Sequence, residues 1–229
     1  MFTLWPTIRK VWNLDKAKIR LCEPYGLHRI RLKHHVNDLN PIFLVINIDG
    51  LALFKSSNTQ LWPILCSFSG LSPFFVPVYC GTHKPYPVSD FINDILEEYS
   101  GLSEDGLNFN GHLFQIKLKY LCCDAPARAM LKSIKPHNGY DSCERCIVEV
   151  EYKENRVVFN DIGCALRSDQ DFSQGKNQPL HQLGKSVFVD YGFPCVSGFV
   201  LNSMHLVMLG VVRRILLFLK EGLRNCKLS

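Results

Sequence analysis

With 229 residues, 47% of them hydrophobic and 21% charged, the chain can bury a sizeable core and falls outside the compositions of disordered or fibrous proteins. Its net charge of +5 is uneven: eight Lys/Arg in residues 1–35 face only Asp15 and Glu23, leaving +6 there and −1 for the remainder. No uninterrupted apolar run approaches the roughly 20 residues of a membrane span, so no membrane partner is expected.

The first 40 residues form a basic segment. Arg9, Lys10, Lys16, Lys18, Arg20, Arg29, Arg31 and Lys33, with His28, His34 and His35 beside them, suit salt-sensitive contacts to DNA phosphates. A solvated arm is the plainer alternative. Residues 36–41 predict a turn into a first strand, Ile42-Phe43-Leu44-Val45-Ile46-Asn47-Ile48, which runs into Asp49-Gly50. Residues 61–66 and 74–79 predict a strand pair across Ser69-Gly70-Leu71-Ser72-Pro73. Val88, Phe91, Ile92, Ile95, Leu96 and Tyr99 then fall on one helical face. Pro85 and Pro87 precede that helix, Ser89 is its expected N-cap and Gly101 its expected end.

Phe114, Ile116, Leu118 and Tyr120 alternate with Gln115, Lys117 and Lys119, predicting a half-buried strand that ends at Asp124. Residues 125–134 follow as a helix stopped by Pro136. This order predicts an α/β layer architecture around a mixed sheet over residues 41–135. In residues 136–199 the periodicity dissolves, and so long a stretch is expected to be an insertion with its own staple. Residues 200–229 contain an apolar helix cut by Asn202, Ser203, His205 and Arg213-Arg214, expected to be buried.

Two features carry chemistry. Asp49 and Asp124 each stand at the mouth of a strand, where a carboxylate on rigid backbone opens into a crevice. Two such acids could hold a divalent cation through hard oxygens, although each could equally just end its strand. Cys143-Glu144-Arg145-Cys146 has the C-x-x-C spacing that chelates Zn²⁺, with Cys164, His181 and His205 as the downstream ligand candidates. A redox role for the pair wants a strand-to-helix setting that the Gly139-Tyr140-Asp141-Ser142 approach does not resemble. Cys22, Cys66, Cys80, Cys122, Cys123 and Cys195 sit in apolar or mixed surroundings as reduced thiols. Residues 1–10 lack the pattern of a secretory signal, so a reducing compartment is expected.

Several blocks together resemble the CACTA-type (En/Spm-like) DDE transposases, in family order over roughly residues 40 to 220. They are Asn47-Ile48-Asp49-Gly50 with Phe54-Lys55-Ser56-Ser57-Asn58 and Leu61-Trp62-Pro63-Ile64, and Cys123-Asp124-Ala125-Pro126-Ala127-Arg128. Gly139-Tyr140 with Cys143-Glu144-Arg145-Cys146, and Ser203-Met204-His205-Leu206 with Leu209-Gly210-Val211, complete the set. The resemblance implies a ribonuclease H-like mixed sheet with flanking helices and a zinc-stapled insertion. It implies Mg²⁺ (or Mn²⁺) on Asp49 and Asp124, a third acid on a later helix, structural Zn²⁺ on Cys143, Cys146 and His205, DNA as partner and a nuclear location.

Two positions depart from the family. The aspartate usual two residues before Met-His is Asn202 here, and Glu221 is the only acid in the last stretch. The expectation is therefore a truncated or degenerate transposase domain with an incomplete acid set. A non-enzymatic DNA-binding or assembly module, compatible with a homo-oligomer, is the alternative. An active nuclease using Asp49, Asp124 and Glu221 is the third.

Overall fold

The computed structural model describes residues 13–14, 17–18, 41–68, 73–109, 111–153, 156–159, 161 and 163–222. Within these, Phe109, Arg156, Val157 and His205 are described by backbone alone, as are the paired strands β1 (Asn13–Leu14) and β2 (Ala17–Lys18). Cys22 and the basic side chains of the N-terminal segment lie outside the described residues.

Five strands make the central sheet, with β4 (Leu51–Ala52) as a short extension. They are β3 (Ile42–Ile48), β5 (Gln60–Phe68), β6 (Phe74–Gly81), β9 (Ile116–Cys123) and β12 (Phe199–Leu201), in spatial order β12-β9-β3-β5-β6. β3, β5 and β6 form an antiparallel meander, whereas β9 runs parallel to β3 and β12 parallel to β9. The architecture is thus α/β around a mixed sheet. Two small hairpins, β7–β8 (Leu107–Phe109, His112–Phe114) and β10–β11 (Val150–Lys153, Arg156–Phe159), stand apart from it.

Helix α1 (Val88–Asp105) links β6 to β9, and α2 (Ala125–Lys132) follows β9. Phe91, Ile92 and Leu96 of α1, with Ala127 and Leu131 of α2, close over Ile46, Ile48, Ile64, Leu121 and Cys123. Each large apolar side chain buried there contributes about 1.5–3 kcal/mol.

Several local expectations are corrected. The N-cap of α1 is Pro87, and Ser89 lies inside the first turn, donating to Asp90 Oδ1 at 3.2 Å. Gly101 is within the helix, which ends at Gly106 with φ 72°, a conformation glycine adopts without steric cost. In β9 the alternation breaks, because a bulge opposite Leu44 and Val45 leaves Tyr120 exposed and turns Leu121 inward. Helix α2 stops at Ser133 (φ 53°), short of Ile134.

One larger expectation also changes, that of a buried final helix. Residues of the long polar stretch also enter the main core: Phe172 in α3 (Asp169–Ser173) and Phe188 in α4 (Val187–Asp190) join Phe193, Cys195 and Val196 there. The Phe188 and Phe193 rings both pack edge-on against Phe199, at 5.3 and 5.8 Å. Isolated aromatics without period leave no pattern for sequence analysis to find. The final helix, π-helical over Met204–Val212 and α-helical in α5 (Arg213–Glu221), is not buried. Leu206, Met208, Leu209, Leu216 and Phe218 are all exposed. No described helix is long and apolar enough to cross a membrane.

Candidate functional site

The sheet register brings three strand ends level in one row. Ile48 pairs with Cys123, and Cys123 pairs with Leu201. The next residue on each strand is Asp49, Asp124 and Asn202, at the C-terminal ends of three neighbouring parallel strands spaced about 4.8 Å apart. All three are partly buried. Glu221 is not brought to this row. It ends a helix that starts beside Asn202 and runs on the order of 25 Å away.

Local chemistry fixes each position. Asn47 Nδ2 donates to the Cys122 carbonyl at 2.8 Å and ties β3 to β9 two residues before Asp49. Gly50 turns the chain against the indole of Trp62, where a Cβ would come within 2.6 Å of the ring. Asp124 is the N-cap of α2: its Oδ1 accepts from Ala127 N at 2.7 Å, and Pro126 sits in the first turn, where no N–H is needed. Asn202 acts alike, its Oδ1 accepting from Met204 N at 3.0 Å. Two carboxylates and an amide are hard oxygen donors of the kind Mg²⁺ or Mn²⁺ takes. The third donor carries no charge.

The cysteine turn meets α2 through Glu144, which Arg128 and Lys132 bond. Cys143 Sγ and Cys146 Sγ are 3.1 Å apart. Backbone bonds Ile147 N→Ala165 O and Arg167 N→Arg145 O, both 2.8 Å, pair the turn with the segment after Cys164, whose thiol interacts with Cys146. Burial opposes ionisation of Cys143, but the backbone N–H groups of Arg145 and Cys146, the Cys146 thiol and Arg167 bring its pKa below the usual value. Burial and the neighbouring thiols Cys143 and Cys164 push Cys146 up to about 12.

His181 is buried with Nδ1 on the Asp141 carbonyl at 2.7 Å, and its Nε2 is buried without a hydrogen-bond partner. Burial holds it neutral, with a pKa pushed down to about 4. A thiolate and a neutral imidazole anchored at Nδ1 are donor types that zinc takes. Among the described residues, however, no three His, Cys, Asp or Glu side chains are gathered to hold an ion. The His205 side chain lies outside them.

Sequence analysis passed over the charges between the cysteines. Glu144 Oε1 accepts from Arg128 Nε at 2.8 Å and Oε2 from Lys132 Nζ at 2.9 Å, all three side chains almost wholly buried. Lys132 also lies 5.6 Å from the ring centres of both Phe172 and Phe199. Burial alone would raise the Glu144 pKa, but Lys132 and Arg128 hold it below its usual value. Arg128 Nη1 donates to the Cys123 carbonyl at 2.7 Å. Arg145 donates to the carbonyls of Val196 and, at 2.5 Å, Phe199. Asp169 accepts from Val196 N at 2.6 Å and from Ser197 N and Oγ, at 3.1 and 2.6 Å. The available signal was Arg128 and Lys132 one turn apart on a helix whose other residues are largely apolar.

Compared with protein-family models, curated proteins and solved structures, the chain matches none.

Proposed function

We propose that the chain carries a ribonuclease H-like core of the DDE-transposase type, adapted to bind DNA without cutting it. The observation that carries this is the row of Asp49, Asp124 and Asn202 on three adjacent parallel strands. The sheet order, an antiparallel meander followed by two parallel strands on the side of its first member, supports the same reading. Asp49 and Asp124 would hold Mg²⁺ or Mn²⁺, and Asn202 would offer its amide oxygen.

Bound there, the cation would polarise a phosphoryl oxygen and acidify water. Asp49 and Asp124 supply two negative charges and orient them from strand ends, but Asn202 cannot supply the third. Phosphoryl transfer depends almost wholly on such electrostatic positioning, so a neutral third donor leaves the site short of a working set. DNA contact falls to the basic residues of the N-terminal segment. Cys143 and Cys146, with His205, are the zinc donors proposed for the insertion, a structural role.

The test is a nuclease and strand-transfer assay with Mg²⁺ and Mn²⁺. The expected result is DNA binding without turnover. Turnover that Asp49→Ala abolishes would overturn the inactive reading, and absence of DNA binding at low salt would overturn the DNA reading. Asn202→Asp, which restores a third carboxylate, is expected to raise Mn²⁺ affinity.

An assembly role is a second reading, favoured by the bare apolar helix over Met204–Val212 and Arg213–Glu221. Sedimentation of the intact chain, expected to show a concentration-dependent homo-oligomer, decides it.

A further inference from the structure

We infer that Glu144 and Arg145, the two residues enclosed by the cysteines, are positioning residues for the row of Asp49, Asp124 and Asn202. This rests on reading that row as a divalent-cation site. Each residue reaches a different strand of the row. Glu144 acts through Arg128, whose Nε it holds at 2.8 Å and whose Nη1 donates at 2.7 Å to the Cys123 carbonyl. That carbonyl belongs to the peptide leading into Asp124, so its direction sets where the Asp124 side chain starts. Glu144 also holds Lys132, and the two contacts on one α2 face fix the helix that Asp124 caps.

Arg145 grips the other strand. Its guanidinium bonds the carbonyls of Val196 and Phe199, the latter opening β12. β12 has only three residues and ends one residue before Asn202, so its own ladder defines its register poorly. Asp169 adds bonds to Val196 and Ser197 just upstream. One four-residue turn therefore sets the ends of β9 and β12 relative to each other, through backbone carbonyls rather than through side chains of the row.

A plain stabilising role for the ion cluster is the alternative. Buried ion clusters can be replaced by apolar residues without loss of stability, so the two roles separate experimentally. Three proteins are compared with the wild type: Glu144→Gln, Arg145→Lys, and the triple Arg128→Met/Lys132→Met/Glu144→Met, which should fold while freeing the Cys123 carbonyl. Mn²⁺ affinity is read by electron paramagnetic resonance, and amide exchange at Ala127, the donor to Asp124 Oδ1, is read in metal-free protein.

The expected result is Mn²⁺ affinity lower by roughly 10- to 100-fold, the range for groups that orient metal ligands, with faster Ala127 exchange in both Glu144 variants. For Arg145→Lys, which reaches only one carbonyl, a smaller loss of Mn²⁺ affinity is expected. A folded triple variant with both quantities unchanged would overturn the inference. If Asp49→Ala binds Mn²⁺ as the wild type does, the cation-site reading fails instead, and Ala127 exchange alone then decides the positioning role.

Discussion

At the scale of single residues, Gly50 and His181 show how much context decides. Gly50 has no Cβ because the Trp62 indole occupies that space, with its Nε1 donating to Gln60 Oε1 at 3.1 Å. Gly50→Ala is expected to displace the indole and to lower stability by about 1–3 kcal/mol, the usual effect of overpacking, as measured by urea denaturation. His181 gives a pH prediction. Its folded pKa of about 4 lies below its usual 6.5, so between those values the unfolded chain binds the extra proton. Stability from this group is complete above about pH 6.5 and declines as pH falls toward 4, by roughly 3 kcal/mol in all. Denaturation series at pH 7 and 4.5 should show that loss, and His181→Gln should remove most of the difference between them.

At the scale of elements, α2 joins two roles at one residue. Asp124 caps the helix and, in the proposed site, donates to a cation. The roles can be parted. Asp124→Asn keeps a capping oxygen and should preserve stability within a few tenths of a kcal/mol, whereas Asp124→Ala should cost about 1 kcal/mol. Both variants should lose Mn²⁺ binding. Equal Mn²⁺ affinity in Asp124→Asn and wild type, measured by calorimetry, would leave Asp124 as a cap alone. The same helix presents Arg128 and Lys132 to Glu144, and removing the glutamate leaves two buried cations unpaired, a loss of about 3–5 kcal/mol where no compensation follows.

At the scale of the molecule, charge is unevenly placed along the chain. Residues 1–35 carry a net +6 against −1 for the remainder, while the last described helix is apolar over Met204–Val212 and amphipathic over Arg213–Glu221. Affinity for duplex DNA should fall linearly on a log–log salt plot. Each phosphate-contacting basic residue removed, as in an Arg29→Ala/Arg31→Ala/Lys33→Ala variant, should flatten the slope by about 0.9. A helix with a long bare apolar face favours association in water. Leu206→Ser/Leu209→Ser/Leu216→Ser should therefore reduce self-association in sedimentation, with the sheet core unaffected.

What the sequence determined by itself is the local text of the fold. Apolar runs marked β3, β5 and β6, alternation marked β9, helical spacing marked α1, and a strand ending in an acid was visible at both Asp49 and Asp124. These signals are short-range, carried by residues within one or two turns of each other. Only tertiary structure decided that the two acids share a row with Asn202, because strand order and register join residues 75 and more positions apart. Only it could show that Phe172, Phe188 and Phe193 belong to the main core, since aromatics scattered through polar sequence acquire an inward face only when packed. Buried charge is the hardest case. Arg128, Lys132 and Glu144 look like surface residues in a sequence, and burial becomes tolerable only when the three meet.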